Sequence, residues 1–172
     1  MSKNILLRLS AVAAIAGGAL RVVDGLLIPS AAIQTQQLAY FLTDLLLMFG
    51  LCGIYLTRSN RLGLAGLVGF VLSFTGILMV RSSALSLFGF STYLVGASVT
   101  LLGVVAIGVA MLVHNAFPKL APILWIASLI IGVVGLLPVA MSWGVTLAGV
   151  TFGIGFIAAG ISLLSDKTAS LS

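Results

Sequence analysis

Long apolar runs are the sequence feature that most restricts what this chain can fold into. A bilayer core about 30 Å thick needs about 20 mostly apolar residues in each helix that crosses it. Six segments meet that test, and together they occupy most of the 172 residues, leaving only short connectors. Their approximate bounds are 5–28, 38–57, 62–80, 88–113, 120–140 and 145–165.

These runs predict an all-α, polytopic membrane protein. They are continuous and lack the apolar–polar alternation of a transmembrane barrel strand, so we expect no strands. Residues that end or interrupt helices stand in the predicted connectors, such as Pro29, Ser59-Asn60 and the stretch from Asn115 to Pro118. We therefore expect one transmembrane domain over residues 1–172, a compact bundle of six helices.

The composition excludes several other classes of protein. Hydrophobic residues make up 61% of the chain and charged residues 6%, against about 45–50% and about 25% in soluble domains. So few charges cannot cover a water-facing surface, which excludes a soluble enzyme and a disordered tail. The net charge of +5 is the balance of eight cations and three aspartates, and the cations are scattered singly along the chain, so no nucleic-acid-binding face is predicted.

The positions of these cations predict how the chain is oriented. Lysine and arginine are enriched in cytoplasmic connectors. One side of the predicted bundle receives Arg81 alone, and we call this the outer side. We therefore expect both termini in the cytoplasm, with the membrane a bacterial-type inner membrane. The opposite side receives six cations: Lys3, Arg8, Arg58, Arg61, Lys119 and Lys167.

The six predicted helices also read as three consecutive hairpins that resemble one another weakly. Each odd helix carries a glycine followed by two aliphatic residues near its outer end. These glycines are Gly25, Gly76 and Gly135, separated by 51 and 59 residues. One interpretation is a tandem threefold repeat. The other is that helices rich in glycine and leucine align with almost any similar helix.

Glycines recur at spacings that favour close helix packing. Residues seven apart lie two turns apart on one helix face, and small residues there let neighbouring helices approach closely. One interpretation is contact within the monomer; the other is a dimer seam, or a slot for a flat lipophilic ligand such as a carotenoid, sterol or quinone. The predicted packing positions are Gly89, Gly96, Gly103, Gly149, Gly153 and Gly160.

Four ionisable residues form what we call the charged cluster: Arg21, Asp24, Asp44 and Arg81. Each charge inside a bilayer costs about 2.5–3.5 kcal/mol on insertion scales, so it needs a partner. We expect Arg21 to reach Asp44 across the first hairpin and Asp24 on its own helix. Arg81 would complete a group of zero net charge. Polar side chains expected at the same level complete a pocket in the outer half: Tyr40, Thr43, Thr92 and Tyr93.

The charged cluster allows two interpretations. The first is structural: the charges fix the pairing of the first two helices. The second is a site for a small anion or zwitterion, or a carboxylate that exchanges a proton during transport. An aspartate neutralised by arginine stays ionised near pH 7, which favours the structural interpretation.

No arrangement of residues predicts catalysis. His114 is the single histidine and Cys52 the single cysteine, so neither a metal site nor a nucleophilic triad is expected. No cofactor is predicted, although a bound lipid or lipophilic pigment is compatible with the chain.

We therefore expect a non-catalytic integral membrane protein, either an accessory or structural subunit or a binder of a lipophilic ligand (lipid, pigment or quinone). Its expected partners are membrane lipids and other membrane subunits or a second copy, without nucleic acid. The alternative is a small transporter or channel that uses the charged cluster.

Overall fold

Five helices make up nearly all of the computed structural model, which describes residues 3–26, 33–82, 86–87, 90–116, 118–137 and 141–165. Apart from short turns, the described residues are helical except for one two-stranded antiparallel ladder, which pairs Ser86 with Ser91 and Leu87 with Phe90. The elements in chain order are α1 (Lys3–Leu26), α2 (Ile33–Arg81), β1 (Ser86–Leu87), β2 (Phe90–Ser91), α3 (Thr92–Val113), α4 (Leu120–Val134) and α5 (Met141–Ser165).

The second helix folds back on itself at Gly63. That residue has a φ of 58° and a ψ of −157°, outside the helical region, and only glycine adopts such a conformation without strain. The rings of Tyr55 and Phe70 stack with their centroids 4.6 Å apart, although 15 residues of straight helix would separate them by about 22 Å. We call residues 33–62 the first arm of α2 and residues 64–81 its second arm.

The number of helices differs from the prediction. Six were expected, and the described residues form five, because the second and third expected helices are one element with a turn at Gly63 inside it. The all-helical class holds, and the expected absence of strands is wrong only for the short β1–β2 ladder.

Four of the described helices, α1, α2, α3 and α5, are long and apolar enough to cross a membrane. The fifth, α4, is equally apolar but has 15 residues, which corresponds to about 22 Å of helix. These lengths and compositions are those of a membrane protein.

The helices close into a ring in chain order, because each packs against its neighbours in sequence and α5 packs against α1. We call the half that contains Leu26, Arg81 and Thr92 the outer half, and the half that contains Gly63 and Leu120 the inner half. The buried apolar cluster fills the inner half. Its largest fully buried members are Trp125, Phe156, Leu51, Ile54, Leu62, Ile107 and Met111.

The α4–α5 connector lies earlier in the chain than predicted. Helix α4 ends at Val134 rather than at residue 140, and α5 begins at Met141, so the predicted loop at 141–144 is helical. Gly135 and Gly144 explain the close approach at this point, since a Cβ built on Gly135 would lie 2.8 Å from the Cα of Gly144.

Two other predicted boundaries also moved. Residues 33–37, which lie between the first two predicted spans, belong to α2. The first arm therefore begins ten residues before Thr43, which is about 15 Å of helix. Helix α3 begins at Thr92 rather than at residue 88, because Phe90 and Ser91 form strand β2.

Candidate functional site

The charged cluster is assembled by the fold-back of α2. The Nε of Arg81, on the second arm, lies 2.6 Å from an Oδ of Asp44 on the first arm. These residues are 37 positions apart, and the turn at Gly63 returns the second arm along the first until Arg81 reaches the level of Asp44. The ion pair therefore ties the outer end of the second arm to the first arm.

Asp24 connects α1 to the first arm of α2. Its side chain is 2% exposed, and the hydroxyl of Thr43 donates a hydrogen bond of 2.8 Å to its Oδ2. Its other oxygen, Oδ1, is buried and has no hydrogen-bond partner among the described residues. A buried acceptor in this state costs about 1–3 kcal/mol, and more when it is charged.

Arg21 connects α1 to α5. A Cβ built on Gly149 would lie 3.3 Å from Nη2 and 3.5 Å from Nε of Arg21. The guanidinium therefore lies directly over the glycine, in space that a larger residue would restrict. Arg21 acts on Asp44 through its charge.

The pairing within the charged cluster corrects the prediction. We expected Arg21 to reach Asp44 and Arg81 to complete the group, but the residue in contact with the Asp44 carboxylate is Arg81. We also expected Arg21 to reach Asp24, three residues along α1. Instead Asp24 takes its hydrogen bond from Thr43, and Oδ1 receives none from Arg21. The reason is the position of Arg21 against Gly149 on α5.

The members of the charged cluster differ in exposure. The side chain of Arg81 is 34% exposed and that of Asp44 is 20% exposed, whereas Asp24 is 2% exposed. Along α1, Asp24 lies two residues before Leu26 and Arg21 lies five residues before it, about 3 Å and 7.5 Å of helix. The charged cluster thus lies just beneath the outer ends of α1 and the second arm.

The other predicted pocket residues are placed less uniformly. Thr92 is buried at the start of α3, and its hydroxyl donates to the carbonyl of Ser82, next to Arg81. Tyr40 is partly exposed on the first arm, one turn before Asp44. Tyr93 is 51% exposed. The structure thus brings Thr43 into the charged cluster and places Thr92 beside it.

The predicted packing glycines lie at contacts within the chain. A Cβ on Gly153 would lie 2.6 Å from the carbonyl oxygen of Gly18 on α1, and one on Gly160 would lie 2.7 Å from that of Ala11. On α3, Gly96 and Gly103 meet Gly76 and Gly69 of the second arm in the same way. Gly89 lies outside the described residues. The described glycine faces are therefore closed by neighbouring helices of the same chain.

Ser128 and Trp125 are among the residues with buried polar groups that were not singled out from the sequence. The hydroxyl of Ser128 on α4 donates a bond of 2.8 Å to the carbonyl of Ala148 on α5. The indole Nε1 of Trp125 is buried and has no hydrogen-bond partner among the described residues. In the sequence, both residues are recognisable as polar groups within an apolar run. The sequence of the run does not indicate which neighbouring helix each side chain faces.

The described residues contain no group of three or more His, Cys, Asp or Glu that could hold a metal ion. His114 is exposed at the turn after α3, and Cys52 is partly buried. A scan against protein-family models and searches of curated proteins and of solved structures found no match. The function is therefore inferred from the geometry of the charged cluster and its surroundings.

Proposed function

We propose that this chain is an integral protein of a bacterial-type inner membrane that crosses it six times, with both termini in the cytoplasm. The first arm of α2, residues 33–62, measures about 45 Å, which is long enough for one crossing. The second arm, residues 64–81, measures about 27 Å, which is nearly the thickness of the bilayer core. The excess of cations at the inner half supports the orientation. The three hairpins follow one another around the ring, which is the order that a tandem threefold repeat would produce.

Within the membrane we propose a non-catalytic role, as an accessory or structural subunit or as the holder of a lipophilic ligand such as a lipid, pigment or quinone. The observation that carries this proposal is the use of the charged cluster as a set of ties. Arg81 with Asp44 joins the two arms, and Thr43 with Asp24 joins the first arm to α1, while Arg21 of α1 lies against Gly149 of α5. Polar groups engaged in this way stabilise the bundle.

The outer surface of the bundle is apolar. Large apolar side chains are exposed along every helix, among them Leu64, Val113 and Trp143. Such a surface contacts acyl chains, a second copy of the chain or the helices of another membrane subunit.

Purification in a mild detergent or in native nanodiscs tests this role. We expect native mass spectrometry to find a tightly bound lipid or a co-purifying subunit, or the absorbance spectrum to reveal a pigment. The same preparation after washing with a harsh detergent is the control. A colourless monomer without bound lipid in both preparations would contradict the proposal.

A second candidate function is a small transporter or channel that uses the outer half. The observation that favours it is the Oδ1 atom of Asp24, which is buried yet has no partner among the described residues. Intramembrane carboxylates of this kind mark binding sites in many transporters. Flux of a radiolabelled solute into proteoliposomes, compared between the native chain and Asp24→Asn, tests this function.

A further inference from the structure

Asp24 and Arg21 are opposite charges three residues apart on α1, and they do not neutralise each other by contact. Such a pair on a helix normally interacts. Here the Oδ1 of Asp24 has no donor among the described residues, and the guanidinium of Arg21 lies over Gly149 instead. The outer half therefore presents a carboxylate oxygen and a guanidinium that are held apart.

The charge balance of the cluster restricts what these two groups can bind. Asp44 and Arg81 neutralise each other at 2.6 Å, which leaves Asp24 and Arg21 as a second pair of zero net charge. If a single anion or cation bound between Asp24 and Arg21, the site would carry one unit of net charge. A net charge in poorly solvated surroundings has an unfavourable free energy. A molecule that carries one charge of each sign adds none.

We propose that the outer half contains a site for a zwitterion, in which Oδ1 of Asp24 accepts hydrogen bonds from an ammonium group. The guanidinium of Arg21 donates to the carboxylate or phosphate of the same molecule. This site rests on the second function proposed above and names its ligand class.

The spacing and the exposure of the groups agree with this assignment. Side chains three residues apart on a helix have their Cβ atoms about 5–6 Å apart, which suits an ammonium and an acidic group separated by a few bonds. Arg81 is the one exposed member of the cluster, whereas Asp24 is buried, so entry from the outer end passes Arg81. Two sources carry this chemistry: a free amino acid and the headgroup of phosphatidylethanolamine.

Two binding measurements on the full chain separate these sources. Glycine is titrated calorimetrically into the protein in nanodiscs of phosphatidylglycerol alone. Native mass spectrometry then counts the phosphatidylethanolamine retained from nanodiscs that contain both lipids. Binding of glycine indicates a free zwitterion, and selective retention of phosphatidylethanolamine indicates the lipid headgroup. Binding in neither measurement overturns the site.

Variants assign the binding to the named atoms. We expect Asp24→Asn and Arg21→Gln each to weaken it at least tenfold, whereas Arg61→Gln, at the inner half, leaves it unchanged. Acetate and methylamine, which each carry one half of the charge pattern, should bind at least tenfold more weakly than glycine. Equal binding by the native chain and Asp24→Asn, or by glycine and acetate, would refute the assignment.

One further variant distinguishes a loss of binding from a loss of folding. Gly149→Ala keeps all four charges, and its added methyl group would lie 3.3 Å from Nη2 of Arg21. We expect it to weaken binding by displacing the guanidinium, with little change in the thermal unfolding temperature. Unchanged binding by Gly149→Ala would contradict the role of Arg21. Loss of binding without loss of a co-purifying subunit or pigment would leave the accessory role standing.

Discussion

The two halves of the bundle are stabilised in different ways. In the inner half, Trp125 packs on Phe156 with ring centroids 5.2 Å apart, inside a cluster of buried aliphatic side chains. In the outer half, the ties are the Arg81–Asp44 ion pair and the Thr43–Asp24 hydrogen bond. Burial of apolar groups drives helix association only weakly in lipid, because the acyl chains are equally apolar. Packing of large side chains therefore characterises the inner half, whereas the outer half combines close glycine contacts with an ion pair and a hydrogen bond.

The largest effect should come from the centre of the inner half. Trp125→Ala removes a fully buried side chain and leaves a cavity, which costs about 3–5 kcal/mol. Trp143→Ala, at a residue that is 75% exposed, is the matched control and should change stability by about 0.5 kcal/mol or less. Equilibrium unfolding in mixed micelles measures both. Similar losses for the two variants would contradict the packing described for the inner half.

The next effect tests the seam between the second arm and α3. A methyl group added by Gly76→Ala would lie 2.7 Å from the carbonyl oxygen of Gly96. The helices must separate to admit it, at a cost of about 1–3 kcal/mol. In Gly132→Ala the added group meets the Cβ of Ala148 at an ordinary 3.6 Å. We expect Gly132→Ala to have the same thermal unfolding temperature as the unmodified chain. An equal decrease of this temperature in both variants would argue against the close contact between the second arm and α3.

A smaller loss is expected from the outer half. Asp44→Leu leaves Arg81 without its partner, which we expect to cost about 2 kcal/mol, less than for a fully buried pair because Arg81 is partly exposed. The double variant Asp44→Leu/Arg81→Leu should recover at least half of this loss. The thermal unfolding temperatures of the single and double variants provide the measurement.

A second double variant sharpens the assignment of that pair. Asp44→Leu/Arg21→Leu should recover less than Asp44→Leu/Arg81→Leu, because Arg21 lies against Gly149 and acts on Asp44 only through its charge. Better recovery with Arg21→Leu would show that Arg21, rather than Arg81, is the main partner of Asp44.

The smallest effect concerns a single interhelical hydrogen bond. Ser128→Ala removes the bond to the carbonyl of Ala148, and such bonds contribute about 0.6 kcal/mol on average in membrane proteins. Ser162→Ala is the control, since that hydroxyl donates to the carbonyl of Ala158 within its own helix. We expect Ser128→Ala to lower the free energy of unfolding more than Ser162→Ala does. Equal values for the two variants would show that the Ser128 hydrogen bond does not stabilise the contact between α4 and α5.

Most of the helical segments could be predicted from the sequence, because the need to satisfy every backbone group in hydrocarbon leaves few options for an apolar run. The errors lie where short-range chemistry decided the outcome. Ser59-Asn60 was expected to separate two helices, but the chain turns at Gly63, which alone of these adopts a positive φ. Residues 141–144, between the fifth and sixth predicted spans, are the first turn of α5, and Gly144 there lies against Gly135.

By itself, the sequence determined the class of this protein and the residues whose charges need partners, since both depend on the free energy of transferring groups from water to hydrocarbon. Only the tertiary structure decided which partners they take. Arg81 reaches Asp44 because α2 reverses at Gly63, and Arg21 turns away because Gly149 leaves it room. Transfer energies depend on residue type alone, whereas pairing depends on the space between helices.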